Sequence, residues 1–308
     1  MPRSLWFFVF TAVVYYLQHI PGIDAVLMIL LASMWPIIAI NLGFAGIAIE
    51  ATSGTISRAW LCLPLLYFGG NLVLAGISHY QLWQLERRVE AANTVQSLPF
   101  PSGGALVVDS TQPGIGGLPE GLIGRYDIPV VYQISDAPKG AFSWKITAGS
   151  LCQTRYPKNG AVFGYLENHK LIHGMCTYRR EEAPPRDAVK LAASAPIAHE
   201  SFFLPYEEQR ITITDGRDRS IELIYAQARP LTWFPMPFGG CFRGPGDAKS
   251  ACIFEPLRVF VTPAIGPIGN TTDLVASTLN LTPSRASTRR QRIEAEAIPA
   301  VLRPALPF

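Results

Sequence analysis

The sequence predicts a membrane protein, with three N-terminal transmembrane helices followed by a mainly antiparallel β, or α+β, extracytoplasmic domain. Three observations predict it. Residues 5–18, 25–49 and 59–78 are apolar stretches without one acidic or basic side chain, and nothing comparable follows them. Beyond residue 104 the chain breaks into short β-branched and aromatic runs punctuated by proline and glycine. Of the five cysteines, all but Cys62 lie in that later part.

The spans come first. A helix needs roughly 20 apolar residues to cross a bilayer, and spans are expected at about 5–19, 24–49 and 59–79. The first run has the length of a signal-peptide core, but His19-Ile20-Pro21-Gly22 stands where small residues would mark cleavage, so it reads as a short helix. Trp35-Pro36 is expected to kink the second span. Ala39, Gly43 and Gly46 form a small-residue stripe that lets another helix approach closely, and they are candidate partner contacts. Asn41 and Asn71 are the notable polar residues at depth, and each is expected to hydrogen-bond across helices. No Asp, Glu, Lys or Arg lies inside the three apolar stretches, which argues against an ion or proton pathway.

The third span is expected to continue as a helical stalk over 81–98. Leu82, Leu85 and Val89 recur at helical spacing, so one face is apolar and is a candidate partner-contact face. The proline- and glycine-rich stretch from Leu98 to Gly104 ends it.

A β-rich domain is expected over 99–262. Strands are expected at 105–108, 128–134, 142–147, 161–166, 171–178 and 252–261, with a short helix at 186–193. The clearest element is a hairpin: Ile211-Thr212-Ile213-Thr214 and residues 220–225 flank a turn opened by Asp215-Gly216. Trp233, Phe234 and Phe238 stand among prolines just ahead of Cys241. Burial of this run under a tied loop is the expectation, and an exposed contact patch the alternative. From 263 to 308 the composition reads as an extended tail whose apolar end, closing on Phe308, is a candidate docking arm.

The cysteines bear on compartment. Cys152, Cys176, Cys241 and Cys252 are even in number and suggest two disulfides, of which Cys152–Cys176 and Cys241–Cys252 is the simplest pairing. Counting basic residues does not decide orientation, since Arg3 and Arg58 oppose Arg87 and Arg88. The disulfides favour a cytoplasmic N-terminus and a periplasmic domain. A zinc site of Cys152, His169, His173 and Cys176 does not follow a familiar ligand spacing.

No motif names a reaction, cofactor or metal. Gly114-Ile115-Gly116-Gly117-Leu118 lacks the lysine of a phosphate loop and reads as a plain loop. His199, Glu200 and Ser201 are adjacent, and adjacent side chains point apart. The formal charge of +3 is small and spread out, which argues against nucleic acid. Arginine far outnumbers lysine, a codon-usage signature that points to a bacterium. The reading is a non-catalytic structural or assembly subunit of a cell-envelope complex in the inner membrane, with lipid and protein partners. A membrane-bound enzyme and an accessory subunit of a channel or transporter are the alternatives.

Overall fold

The computed structural model describes residues 2–20, 23, 26–27, 32–94, 97–101, 103–112, 115, 117–136, 139–148, 166–172, 175–216, 219–242, 251–262 and 271–283. At 32, 147–148, 166–172, 175–180, 241–242 and 251–252 it describes the backbone alone. Contacts divide the chain into two units. One comprises Met1–Gln84, Glu200–Tyr206 and Ala228–Val261; the other comprises Leu85–His199, Glu207–Gln227 and Thr262–Phe308.

The first unit is built on three helices, α1 (Arg3–Leu17), α2 (Trp35–Thr52) and the first part of α3 (Arg58–Asn93). α2 and α3 are long and apolar enough to cross a membrane, whereas α1 is apolar but shorter. Pro36 does not kink α2. It sits in the first turn, where its missing N–H costs nothing, so the helix starts at Trp35.

α1 and α2 run antiparallel. The Glu50 carboxylate near the end of α2 accepts from the backbone N–H groups of Arg3 and Ser4 at 2.9 and 3.0 Å, and from the Ser4 hydroxyl at 2.7 Å. It thereby satisfies donors that a helix start leaves without partners. The small-residue stripe is spent on the same contact. A methyl group at Gly43 would lie 2.7 Å from the Phe8 ring, one at Gly46 would collide with Ser4, and Ala39 is buried. The close helix approach expected of Ala39, Gly43 and Gly46 is thus made within the chain. Phe44 of α2 meets Phe8 of α1 edge-on at 5.0 Å and stacks on Tyr67 of α3 at 4.0 Å.

The second unit is a mixed sheet with helices on one face. Its strands are β1 (Leu106–Asp109), β2 (Val131–Asp136), β3 (Lys139–Ala148), β4 (Leu166–Ile172), β5 (Met175–Glu181), β6 (Val189–Ala193), β7 (Ile197–His199), β8 (Tyr206–Thr214) and β9 (Ser220–Ala228). Their order is β4-β5-β3-β2-β1-β6-β8-β7, with β9 on β8. β1 pairs parallel with both β2 and β6, while β2–β3, β3–β5, β4–β5 and β6–β8 are antiparallel. The expectation of a mainly antiparallel domain therefore misses the parallel centre. Buried on both faces, β1 reads as the unbroken apolar run Leu106-Val107-Val108, as central parallel strands do. The predicted hairpin is present as β8 and β9.

The expected helix at 186–193 is instead strand β6. Val189 and Leu191 point inward and Lys190 outward, and this period of two outweighs the helix preference of the alanines. A helix that sequence reasoning missed, α4 (Leu118–Arg125), connects β1 to β2 and buries Leu118, Leu122 and Ile123. Gly121 and Gly124 hide it by lowering helix propensity. Gly121 is there for closeness: a methyl group would lie 2.8 Å from the Thr272 hydroxyl of α5 (Thr271–Thr278).

α5 corrects the expectation of an extended tail from 263. Leu274, Val275, Ala276 and Leu279 lie in the main core with Leu106, Leu122, Ile213 and Leu223. Asn280, at φ 52°, ends the helix in the left-handed conformation, and the Leu281 N–H closes back on the Ala276 carbonyl. The residues that follow are tied to the domain by the Asp127 N–H, which donates to Thr282 at 2.8 Å. Phe308 lies outside the described residues.

The stalk face is likewise spent within the chain. Leu82, Leu85 and Val89 are buried. In the second unit Arg88 pairs with Glu208, and Asn93 both donates to and accepts from the backbone of Ile224.

Two predictions follow from this core. Leu279→Ala, at a fully buried position of the supposed tail, should cost about 2–5 kcal/mol in denaturant unfolding read by Trp144 fluorescence. The Tyr126 hydroxyl donates to Asp273 at 2.7 Å, and burial together with that carboxylate pushes its pKa up to about 12. The folded state therefore keeps this proton while an unfolded tyrosine loses it near 10. Stability from this group is complete below pH 10 and declines as pH rises towards 12. An ultraviolet titration should show a high-pH phenolate step that Tyr126→Phe removes.

Candidate functional site

The densest set of specific side-chain contacts in the first unit lies along α2 and α3, where two returning pieces of chain meet them. Segment 229–236, which follows β9, has no regular secondary structure beyond an isolated bridge of Leu231 with Arg258. Such a backbone offers polar groups that no helix or ladder satisfies. Here each carbonyl from 231 to 236 has a donor. His79 Nε2 stands 3.1 Å from the Leu231 oxygen. Asn71 donates to Thr232 at 3.2 Å and to Trp233 at 3.0 Å. The Thr232 hydroxyl serves Phe234 at 2.7 Å. Asn41 serves Pro235 at 2.9 Å, and the Leu257 N–H serves Met236 at 2.7 Å.

On the donor side, proline removes some of the N–H groups and Ser78 takes that of Leu231. Pro230, Pro235 and Pro237 have no N–H to satisfy. The Leu231 N–H donates to Ser78 Oγ at 3.0 Å, and that fully buried hydroxyl donates in turn to the Phe203 carbonyl at 2.7 Å. Arg258 ties the second returning piece to the first. Its guanidinium donates to the carbonyls of Phe202, Phe203 and Arg229 at 2.6–3.1 Å. Burial there lowers its pKa from the ordinary arginine value, against the opposing pull of Glu255.

The expected roles of Asn41 and Asn71 are thus refined. They hydrogen-bond not from helix to helix but from helix to a chain segment far along the sequence. Trp233 stacks on His79 at 4.5 Å, and Phe234 meets Phe68 at 5.9 Å. Burial was the expectation for this run. Trp233 and Phe234 are each 55% exposed instead, and Phe238 is half-buried. Phe202, Phe254, Val259 and Phe260 are exposed in the same unit, as are Leu65, Leu66, Leu72 and Val73 of α3. Sequence reasoning passed over Ser78, Glu50 and Arg258. The last two carry a legible signal: Glu50 is a lone carboxylate closing an apolar run, and Arg258 a lone cation within Leu257-Arg258-Val259-Phe260-Val261.

The hairpin β10 (Pro237–Phe242) and β11 (Ala251–Pro256) extends the first returning piece. Its register sets Cys241 directly opposite Cys252. Directly opposed antiparallel residues have Cα atoms about 4.5–5.5 Å apart, within the range of about 4.4–6.8 Å that a disulfide bridges. Cys176 lies on β5 opposite Thr147, while Cys152 and His173 lie outside the described residues, as do the side chains of His169 and Cys176. Among the described residues no group of three or more His, Cys, Asp or Glu side chains could hold a metal. Ser201 Oγ accepts from the Leu204 N–H at 3.4 Å, a turn contact.

In the chain the glycine-rich run stands between a parallel strand and a helix, β1 and α4, as a phosphate loop would, though without the lysine. Asp109 ends β1 and accepts from the Thr111 N–H at 3.1 Å, and Ser110 Oγ is buried with no partner among the described residues. Gly114 and Gly116 lie outside the described residues.

Taken together these features define a chain with two apolar helices of membrane-crossing length, a backbone segment held along them by side-chain donors, and a mixed-sheet unit. Comparison with protein-family models, with curated proteins and with solved structures finds no match.

The carbonyl accounting generates a prediction. Asn71→Leu strips the donor from two carbonyls and should cost about 1–3 kcal/mol. Thermal unfolding in detergent, compared with an exposed-site control such as Leu72→Ala, measures it.

Proposed function

We propose that this chain is a non-catalytic structural or assembly subunit of a larger cell-envelope complex, of the secretion, pilus or conjugation type. It anchors a periplasmic domain to the bacterial inner membrane, with three spans and the N-terminus in the cytoplasm. The observation that carries the reading is the build of α3. Over its first part, Leu65, Leu66, Leu72 and Val73 face outward, as lipid-facing positions do. The helix continues without interruption to Asn93, where Arg88 and Asn93 are fastened to β8 and β9. One helix therefore serves as span and tether together.

Three further features support the reading. From Arg58 to Tyr80 the helix rises about 33 Å, which matches the roughly 30 Å of bilayer hydrocarbon. The opposed Cys241 and Cys252 suit a disulfide, and disulfides persist in oxidising compartments. An apolar groove of about 570 Å³ between α1 and α2, walled by Trp6, Phe10, Trp35 and Ile38, offers a seat for an acyl chain or a neighbouring helix.

Purification from native membranes in mild detergent tests the proposal. The expected result is a particle larger than one chain, with defined co-purifying proteins. A strictly monomeric particle without companions contradicts it.

A further inference from the structure

We propose that segment 231–236 is re-entrant: it dips into the bilayer hydrocarbon beside α2 and α3 and leaves on the side it entered, with Trp233 and Phe234 facing acyl chains. This rests on the membrane reading above and deepens it.

Depth is the first argument. Leu231 is held at the level of Ser78 and His79, and Trp233 at the level of Asn71. Asn71 precedes His79 by two helical turns, about 12 Å along α3. The partner of Pro235 on α2 is Asn41, nearly two turns beyond Trp35, about 9 Å. Two separate helices thus give similar depths, and both approach the half-thickness of about 15 Å that a 30 Å hydrocarbon layer implies. The chain then turns back, since a methyl group at Gly239 would lie 3.6 Å from Pro36, near the start of α2.

The second argument is chemical. Non-helical backbone at membrane depth is tolerated only if its polar groups are satisfied without bulk water. In water the carbonyls of residues 231–236 would need no dedicated donors. Here every one has a donor, three of the donors being polar side chains of otherwise apolar helices. Proline removes the N–H at 230, 235 and 237, and no residue from 230 to 240 carries a charge. The third argument is continuity. The exposed rings of Trp233 and Phe234 belong to the same unit as the exposed apolar side chains Leu72 and Val73, one to two residues from the asparagine that holds Trp233.

Tryptophan quenching in phosphatidylcholine vesicles tests this on the full chain. Acyl chains brominated near their ends report contact with hydrocarbon, and aqueous iodide reports contact with water. The Trp233 signal is the difference between the native protein and Trp233→Phe. Trp6, 72% exposed on α1 and read through Trp6→Phe, is the reference. The proposal expects bromolipid to quench Trp233 as strongly as Trp6, with iodide without effect on it. If Trp6 is quenched by bromolipid while Trp233 responds to iodide alone, the re-entrant segment is refuted and the membrane reading stands. If the protein does not float with the vesicles and neither signal responds to bromolipid, the membrane reading fails and takes this inference with it.

Discussion

A carbonyl outside helix and ladder needs a donor from elsewhere, and the way residues 231–236 find theirs organises the first unit. The segment from 231 to 236 has neither helix nor ladder to serve it. The donors come from His79, Asn71, Asn41, Thr232 and the Leu257 amide. Each bond contributes only about 0.5–1.5 kcal/mol net, but each unmade one costs more. The asparagines of two apolar helices are therefore not stray polarity. They are the means by which a distant part of the chain is fixed to those helices. Ser78, buried and bonded on both sides, and Arg258, shared among three carbonyls, extend the same logic to the segment around Phe203.

The second unit obeys a different constraint, the burial of a sheet on both faces at its centre. Leu106 and Val108 face α4 and α5, while Val107 lies on the other side with Tyr132 and Ala188. A strand buried in this way favours parallel neighbours and a helical crossover, which is what β1, α4 and β2 supply. The remaining strands add antiparallel pairs outward. Helix α5 closes the core after the chain has made its excursion through 228–261. The order of the sequence and the order of contacts thus diverge: the chain leaves the first unit, returns to it twice, and finishes the core of the second with residues 271–283.

Legibility in the sequence followed range. The apolar helices and the β8–β9 hairpin were readable because local patterns specify them: a charge-free run in one case, alternation about Asp215-Gly216 in the other. Asn41 and Asn71 stood out by polarity alone, yet their partners lie 194 and 161 residues away, beyond any periodic signal. β6 was misread because Ala192 and Ala193 favour a helix, and the slot beside β1 outweighs that preference. α4 was concealed by its glycines, one of which exists to admit Thr272. α5 was concealed because its few buried apolar residues, Leu274, Val275 and Ala276, stand among threonines and serines that resemble a tail.

Hydrogen–deuterium exchange on the full chain in lipid nanodiscs probes the central claim most directly. Thr232, Trp233, Phe234 and Met236 lie outside the named helices and strands, and Pro235 carries no N–H, so slow exchange of these four amides would report exclusion from water. The account predicts that these amides exchange as slowly as those in the middle of α3. Exchange at the rate of an open loop would contradict it, and would leave the asparagine bonds as contacts at a wet surface.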